Sequence, residues 1–237
     1  ELFNGYDRYS WGVKALKLQG LPSFSRRLMT AGIKVFSPQS WDKISRFLSI
    51  LPGIPAKRLG DKMHKLARIL PADDRHALYR IMSSQWDEPD ELLHTTEPMT
   101  LLTDCDAWLP QDNFLRQMQF VDQMIYLPDD LLHKVDRASM ANSLEVRVPL
   151  LDHRVIDCSW RFTNDMNYRS GKGKQPLRQM LNKYVPEKMF ERPKMGFGVP
   201  MHQWLRAPLK EWAEDLLSSE RLKNQGLFET EKIQQTW

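Results

Sequence analysis

The chain has 237 residues, 41% of them hydrophobic and 27% charged, with 34 basic against 30 acidic side chains and a net charge of +4. One good core or two small ones can be buried at this length, no apolar run reaches the roughly 20 residues of a membrane span, and the charge is too mild to demand nucleic acid. Cys105 and Cys158 stand at no metal-ligand spacing, which fits two free thiols in a reduced, cytoplasmic protein.

The opening ELFNGYDRYSWG offers Leu2 and Phe3 to a core. Residues 24–51 then carry two helical patterns: Leu28, Ile33, Val35 and Phe36 in the first, and Trp41, Ile44, Phe47, Leu48 and Leu51 in the second. Pro38 and Ser40 separate them, and Pro52-Gly53-Ile54-Pro55 ends the second. A third pattern over residues 59–69 buries Met63, Leu66 and Leu70, and Asp73 caps a fourth that runs through Leu78, Ile81 and Met82. Arg26–Arg27 and Lys57–Arg58, unbalanced by acids, read as a solvated face. Residues 85–110 are acidic, proline-rich and without period, a surface loop or lid tethered by Leu101, Leu102 and Trp108, in which His94 faces solvent. A helix over residues 111–126 follows and buries Phe114, Met118, Val121 and Ile125.

The stretch 126–152, YLPDDLLHKVDRASMANSLEVRVPLLD, organises the rest. Pro128 suits a first helical turn, with Asp129 and Asp130 at the positive end of the helix dipole. Leu131, Val135 and Ala138 share one face; Asp130, Lys134 and Arg137 share another, the first two at i,i+4 in the favourable order. Period two then sets Leu144, Val146 and Val148 against Glu145 and Arg147 until Pro149 stops it. Asp152 is a good N-cap for the next helix, with Leu151 and Ile156 placed as a hydrophobic staple. By pattern alone this is a structural corner whose Glu145 and Arg147 are solvated or paired.

Beyond it, Ser-Gly-Lys-Gly-Lys-Gln-Pro-Leu-Arg (170–178) lacks Walker spacing yet could take an anion, because Gly171 and Gly173 free the backbone and Lys174 sits at a helix start. The helix after it buries Leu177, Met180 and Leu181. ERPKMGFGVP (191–200) is a loop whose glycines allow close approach to a ligand and whose Lys194 is a point charge on a flexible stem. Two helices close the chain, one with Trp204, Leu205, Leu209, Trp212, Leu216 and Leu217, the other with Leu227, Phe228 and Ile233, punctuated by Gly226; both stripes belong to a core or an interface.

These stretches together resemble the C-terminal part of the asparagine synthetase family. Asp130, Lys134, Asp136, Arg137, Ser139, Met140, Ala141, Ser143, Glu145, Arg147, Pro149, Leu151 and Asp152 match its D-x-x-x-K-x-D-R-x-S-M-A-x-S-x-E-x-R-x-P-x-L-D run. Glu1, Leu2, Phe3, Gly5, Tyr6 and Arg8 resemble the end of its acidic signature; Lys174, Leu177 and Arg178 resemble its Lys-x-x-Leu-Arg helix start, and Lys194 the lysine twenty residues later. The loop after Lys194, Met-Gly-Phe-Gly-Val-Pro-Met, resembles bacterial relatives that amidate carboxylates other than aspartate.

The resemblance implies a predominantly all-α fold, the distal helical half of an α/β ATP-pyrophosphatase-type synthetase domain whose phosphate loop, parallel sheet and glutaminase domain lie upstream. It divides the chain into a helical insertion (24–83), a loop or lid (85–110), an active-site half (111–200) and C-terminal helices (201–237). It implies an ATP- and glutamine-dependent amidotransferase that activates a carboxylate, aspartate or another acid, as an acyl-adenylate for attack by glutamine-derived ammonia. ATP and Mg2+ are the implied cofactors of the complete enzyme; the isolated chain is expected to be inactive. By resemblance Lys194 and Glu1 are catalytic, Lys174 and Lys194 bind ATP and pyrophosphate, and Asp136, Arg137, Glu145, Arg147, Arg178, Gly196 and Gly198 form the framework, with no metal ligand assigned. Glu145 and Arg147 are expected in a buried or partly buried polar cluster near the central helix with Asp136. No membrane or nucleic-acid partner is implied, and homodimerisation is left open. The competing reading is a helical binding domain, for RNA, resting on a pI near 9.0 and eight tryptophans.

Overall fold

The computed structural model describes residues 1–48, 59–86, 88–191 and 199–237, with side chains up to Ser45 in the first of these. The chain forms two compact units, one of Glu1–Gln85 with Thr100–Leu181 and a smaller one of Trp86–Met99 with Asn182–Trp237. The fold is predominantly helical: among the described residues the only β pairing is two isolated antiparallel bridges, Leu93 with Phe228 and Arg169 with Lys172.

In the larger unit α1 (Asp7–Leu18) opens with an acid and ends with Lys17, matching the helix dipole. It packs against α5 (Arg75–Ser83) and α6 (Phe114–Val121) through Tyr9 and Ala15, which share a core with Leu78, Tyr79, Trp108 and Met118. Leu2 and Phe3 are buried, as their place in the opening suggests. Between α1 and α5 run α2 (Ser23–Lys34), α3 (Pro38–Leu48) and α4 (Leu59–Ile69); α4 packs on both α2 and α3, and Ile33, Ala67 and Leu70 form a second small core. The segment from Pro52 to Pro55 lies outside the described residues, as does Lys57–Arg58.

Several expectations are corrected here. Leu28, Val35 and Phe36 are exposed, so α2 turns only Ile33 of its expected set inward. Arg26, read as solvated, is buried and donates to the carbonyls of Leu21 (3.2 Å), Leu70 (2.9 Å) and Ala72. The last two follow the end of α4, where carbonyls run out of intrahelical donors, and a guanidinium supplies several at once. The cap of α5 is Asp74, one residue later than expected, accepting from the N–H groups of His76 and Ala77, both at 2.8 Å.

Residues 114–140 form one unbroken helical run instead of two helices. Asn113 caps α6 by accepting from the Arg116 N–H at 3.3 Å; a π-helical segment, Asp122–Leu132, follows directly and leads into α7 (His133–Met140). Pro128 lies inside that segment. Proline has no N–H and its ring crowds the preceding turn, and the wider π turns absorb both defects where an α-helix would break. Residues 144–148 pair with no other strand, and a 3-10 turn (Pro149–Leu151) leads to α8 (His153–Arg161), capped by Asp152 as expected. The short helices α9 (Asn164–Asn167) and α10 (Gln175–Leu181) complete this unit; Met180 and Leu181 on α10 are exposed, against expectation.

In the smaller unit residues 88–99 are fastened to the chain's end. His94 N–H donates to Leu227 O (3.1 Å), Glu229 N–H donates to Leu92 O (2.8 Å), and Lys232 pairs with Glu91 at 2.7 Å. The C-terminal region holds α11 (Glu187–Phe190), α12 (Met201–Trp204), α13 (Lys210–Leu216), α14 (Ser219–Gln225) and α15 (Thr230–Thr236), more helices than its two expected stripes. Gly226, at φ +66°, closes α14 in the left-handed conformation that favours glycine. Ala213 and Leu222 are buried, whereas Trp204 and Trp212 are exposed and so are not core residues.

Candidate functional site

The opening loop and the 170–174 turn, far apart in sequence, are locked together. Ser170 (φ +51°) and Gly171 (φ +79°) are the central pair of a tight hairpin, closed by reciprocal 3.0 Å hydrogen bonds between Arg169 and Lys172. Two successive positive φ values define a type I′ turn, which glycine and small polar residues tolerate. The turn delivers Lys174, itself at φ +59°, whose N–H donates to Phe3 O at 2.8 Å. The backbones approach so closely that a Cβ on Gly173 would overlap the Asn4 carbonyl, and one on Gly5 would overlap the Lys174 side chain at Cε. Arg178 Nε donates to Gly173 O at 3.0 Å, so this framework residue braces the turn from α10. The N–H groups of Lys172 and Lys174 are thus spent on protein carbonyls. What the turn still offers an anion at its surface is the exposed Lys174 side chain.

Glu1 is held by the same loop, its carboxylate accepting from the Tyr6 hydroxyl at 3.0 Å. Behind Tyr6 lies a polar cluster that the sequence reading missed. Asp122, buried, accepts from Tyr9 OH at 2.6 Å and from Tyr79 OH, and Arg8 Nη2 stands 2.7 Å from its Oδ2. The Arg8 guanidinium lies 4.2 Å from the Tyr126 ring centre and 4.9 Å from that of Tyr6, and the Tyr6 ring meets Tyr9 and Tyr126 edge-on. Burial, then the Asp122 charge, pushes the Tyr9 and Tyr79 hydroxyls well above the usual tyrosine value; burial and Glu1 do the same to Tyr6. One signal could have exposed the cluster: Asp122 falls four residues after Met118, an acid on the face of a helix that is otherwise apolar.

The π-helical segment carries both Asp122 and Tyr126, so the deviation from α geometry lies against the candidate site, as such segments often do. Phe3 packs on Phe162 just past α8 with ring centres 6.2 Å apart. Arg116, buried in α6, holds that end of α8: it donates to Phe162 O and lies 5.1 Å from the Trp160 ring centre. Burial lowers its pKa.

The 126–152 stretch departs from expectation beyond Pro128 as well. Asp130 and Lys134 pair at i,i+4 as read, and Arg147 and Glu145 pair at 2.8 Å, but those two side chains are 80% and 69% exposed. Asp136 and Arg137 are exposed as well. The expected buried cluster is absent because residues 144–148 join no sheet, so period-two alternation brings neither face against a core. Lys194, Gly196 and Gly198 lie outside the described residues. Among the described residues no three metal-ligating side chains converge. Glu1 is the acid of the opening loop over which the Lys174 side chain passes; Mg2+ commonly takes one or two carboxylates and draws its other ligands from phosphate and water, so Glu1 could serve such an ion as one donor. No helix among the described residues is long and apolar enough to cross a membrane.

Residues 1–237 match the family described as asparagine synthase. Over 103 residues, 44% of this chain, it is 37% identical to asparagine synthetase [glutamine-hydrolyzing] 1 of Bacillus subtilis. Over 121 residues, 51% of this chain, it is 38% identical to a putative asparagine synthetase [glutamine-hydrolyzing] of Mycobacterium bovis. These matches span 16% and 18% of the relatives' own lengths. No solved structure matches the chain. With the family match running the whole length, the chain belongs to the asparagine synthase family.

Proposed function

We propose that this chain supplies the pyrophosphate side of an ATP-dependent, glutamine-dependent carbon–nitrogen ligase. In this reading a carboxylate, aspartate or another acid, attacks the α-phosphate of ATP, forming an acyl-adenylate and releasing pyrophosphate; ammonia drawn from glutamine then attacks the activated carbonyl, giving the amide as the acyl C–O bond breaks and AMP leaves. The observation that carries it is the locking of the Glu1 loop to the Lys174 turn, through the Lys174 N–H to Phe3 O bond and the passage of the Lys174 side chain over Gly5. Such contact places an ammonium beside a carboxylate-bearing loop, an arrangement suited to a magnesium polyphosphate. Mg2+, when bound, would neutralise phosphate charge, with Glu1 as one donor. Lys174, and Lys194 from its glycine loop, would offset the charge that gathers on the departing pyrophosphate. A fixed cation aimed at charge that develops in the transition state accelerates the step more than one that binds the substrate equally well. Asp136, Arg137, Glu145, Arg147 and Arg178 frame the site, and residues 111–200 form its active half.

The test is ATP–pyrophosphate exchange in the full-length protein. Lys174→Ala and Lys194→Ala should each lower exchange roughly a hundred- to a thousandfold, or about 3–4 kcal/mol of barrier, while glutamine hydrolysis is retained. Lys183→Ala, a nearby lysine with no assigned ligand, should leave exchange close to normal. Equal small effects at all three positions would reduce both stretches to scaffold.

A further inference from the structure

The α2 helix turns two opposite faces to two different surroundings. Arg26, Thr30 and Ile33 are buried against the rest of the larger unit. On the opposite side Phe24, Leu28, Ala31 and Val35 follow one another at intervals of four, three and four, a stripe about 16 Å long at helical rise. Phe24 and Val35 are each 74% exposed and Leu28 63% exposed, far above what a large apolar side chain shows when a neighbour covers it. Arg27 and Lys34, both exposed, border the stripe along one side, and Ser25 and Gly32 border it on the other. No acidic residue occurs from Arg8 to Trp41, a stretch that also holds Lys14 and Lys17.

From this arrangement we infer that the exposed face of α2 seats on an anionic lipid surface, lying in the plane of the headgroups. The charge picks the partner: a border whose only charges are cations repels a second copy of itself and attracts a negative surface. Its shape points the same way. A single protruding ridge with aromatic and aliphatic tips suits insertion between headgroups, the geometry of an interfacial amphipathic helix, and needs no spanning segment. The expectation of no membrane partner rested on the lack of a spanning run and could not register a surface contact of this kind. The inference is independent of the nucleotide chemistry proposed above, since it needs neither ATP nor pyrophosphate.

Vesicle flotation tests it. At low salt this chain should float with phosphatidylcholine vesicles containing roughly one-third phosphatidylglycerol, and not with phosphatidylcholine alone. Phe24→Asp with Leu28→Asp should abolish flotation, and the milder Phe24→Ser should weaken it. Arg27→Gln with Lys34→Gln should lower partitioning roughly thirtyfold, at about fivefold for each cation near the surface. Because all four side chains are exposed, circular dichroism should show unchanged helix content in every variant, so a loss reads binding and not folding. Flotation equal in wild type and the Asp variants would overturn the inference, as would no flotation with anionic vesicles. Self-association seen by sedimentation and dissolved by Phe24→Asp would reassign the face to a second copy, and preference for an acidic polypeptide over anionic vesicles would reassign it to a protein partner.

Discussion

Replacing Asp122 by Asn removes one charge from a site where three groups depend on it. In the native state its carboxylate accepts from Tyr9 OH at 2.6 Å and from Tyr79 OH while standing 2.7 Å from Arg8 Nη2. The amide keeps one acceptor oxygen, replaces the other with an N–H2 so that a tyrosine hydroxyl must reorient to accept from it, and leaves the Arg8 charge without its partner. Stranding one member of a buried ion pair costs about 3–5 kcal/mol. For a folding unit of this size each kcal/mol moves the melting temperature by about 2–4 °C, so the drop should be about 6–20 °C. Thermal denaturation followed by circular dichroism reads it directly. A cycle with Arg8→Met separates the pair from general damage. The double variant should lose at least about 1 kcal/mol less than the two single losses combined, because no lone charge remains. A melting temperature within about 1 °C of wild type, or strict additivity in the cycle, would refute the claim that this cluster stabilises the fold.

Other consequences follow from named contacts. Gly173→Ala should lower stability by about 1–3 kcal/mol in chemical denaturation, because its Cβ meets the Asn4 backbone. Gly5→Ala, which meets only the flexible end of Lys174, should leave stability nearly unchanged while displacing that side chain and weakening pyrophosphate exchange. Tyr6, Tyr9 and Tyr79 hold their protons in the folded state at pH values where the unfolded chain, with a usual tyrosine value of 10, releases them. Their contribution is therefore complete below pH 10 and lost as pH rises above it, and Tyr9→Phe should flatten the alkaline loss of stability by about one proton. Arg26→Met should destabilise by about 2–3 kcal/mol, measured by urea denaturation, since the carbonyls of Leu70 and Ala72 lose a charged donor.

What the sequence by itself determined is what neighbours along the chain decide. Helix breaks at Pro38, caps at Asp152 and Gly226, the i,i+4 pair of Asp130 and Lys134, and the apolar face of Phe114, Met118 and Val121 are all local, and all stand. The family was legible for a related reason, since its stretches are long enough to be matched without knowing where they lie in space. Tertiary structure alone decided what depends on distant partners. Asp122 becomes the hub of a cluster only because Tyr9, 113 positions away, folds back on it. Pro128 looks like a helix start until the run on either side is seen to continue through it as a π-helix. Arg26 looks solvated until the end of α4 arrives to use it, and Glu145 and Arg147, expected buried by resemblance, prove exposed and paired, as pattern alone allowed, because residues 144–148 have no sheet to join. Periodicity records that a side chain has an inside to face, but which surface fills that inside, or whether one does, is settled by packing between segments that the sequence places far apart.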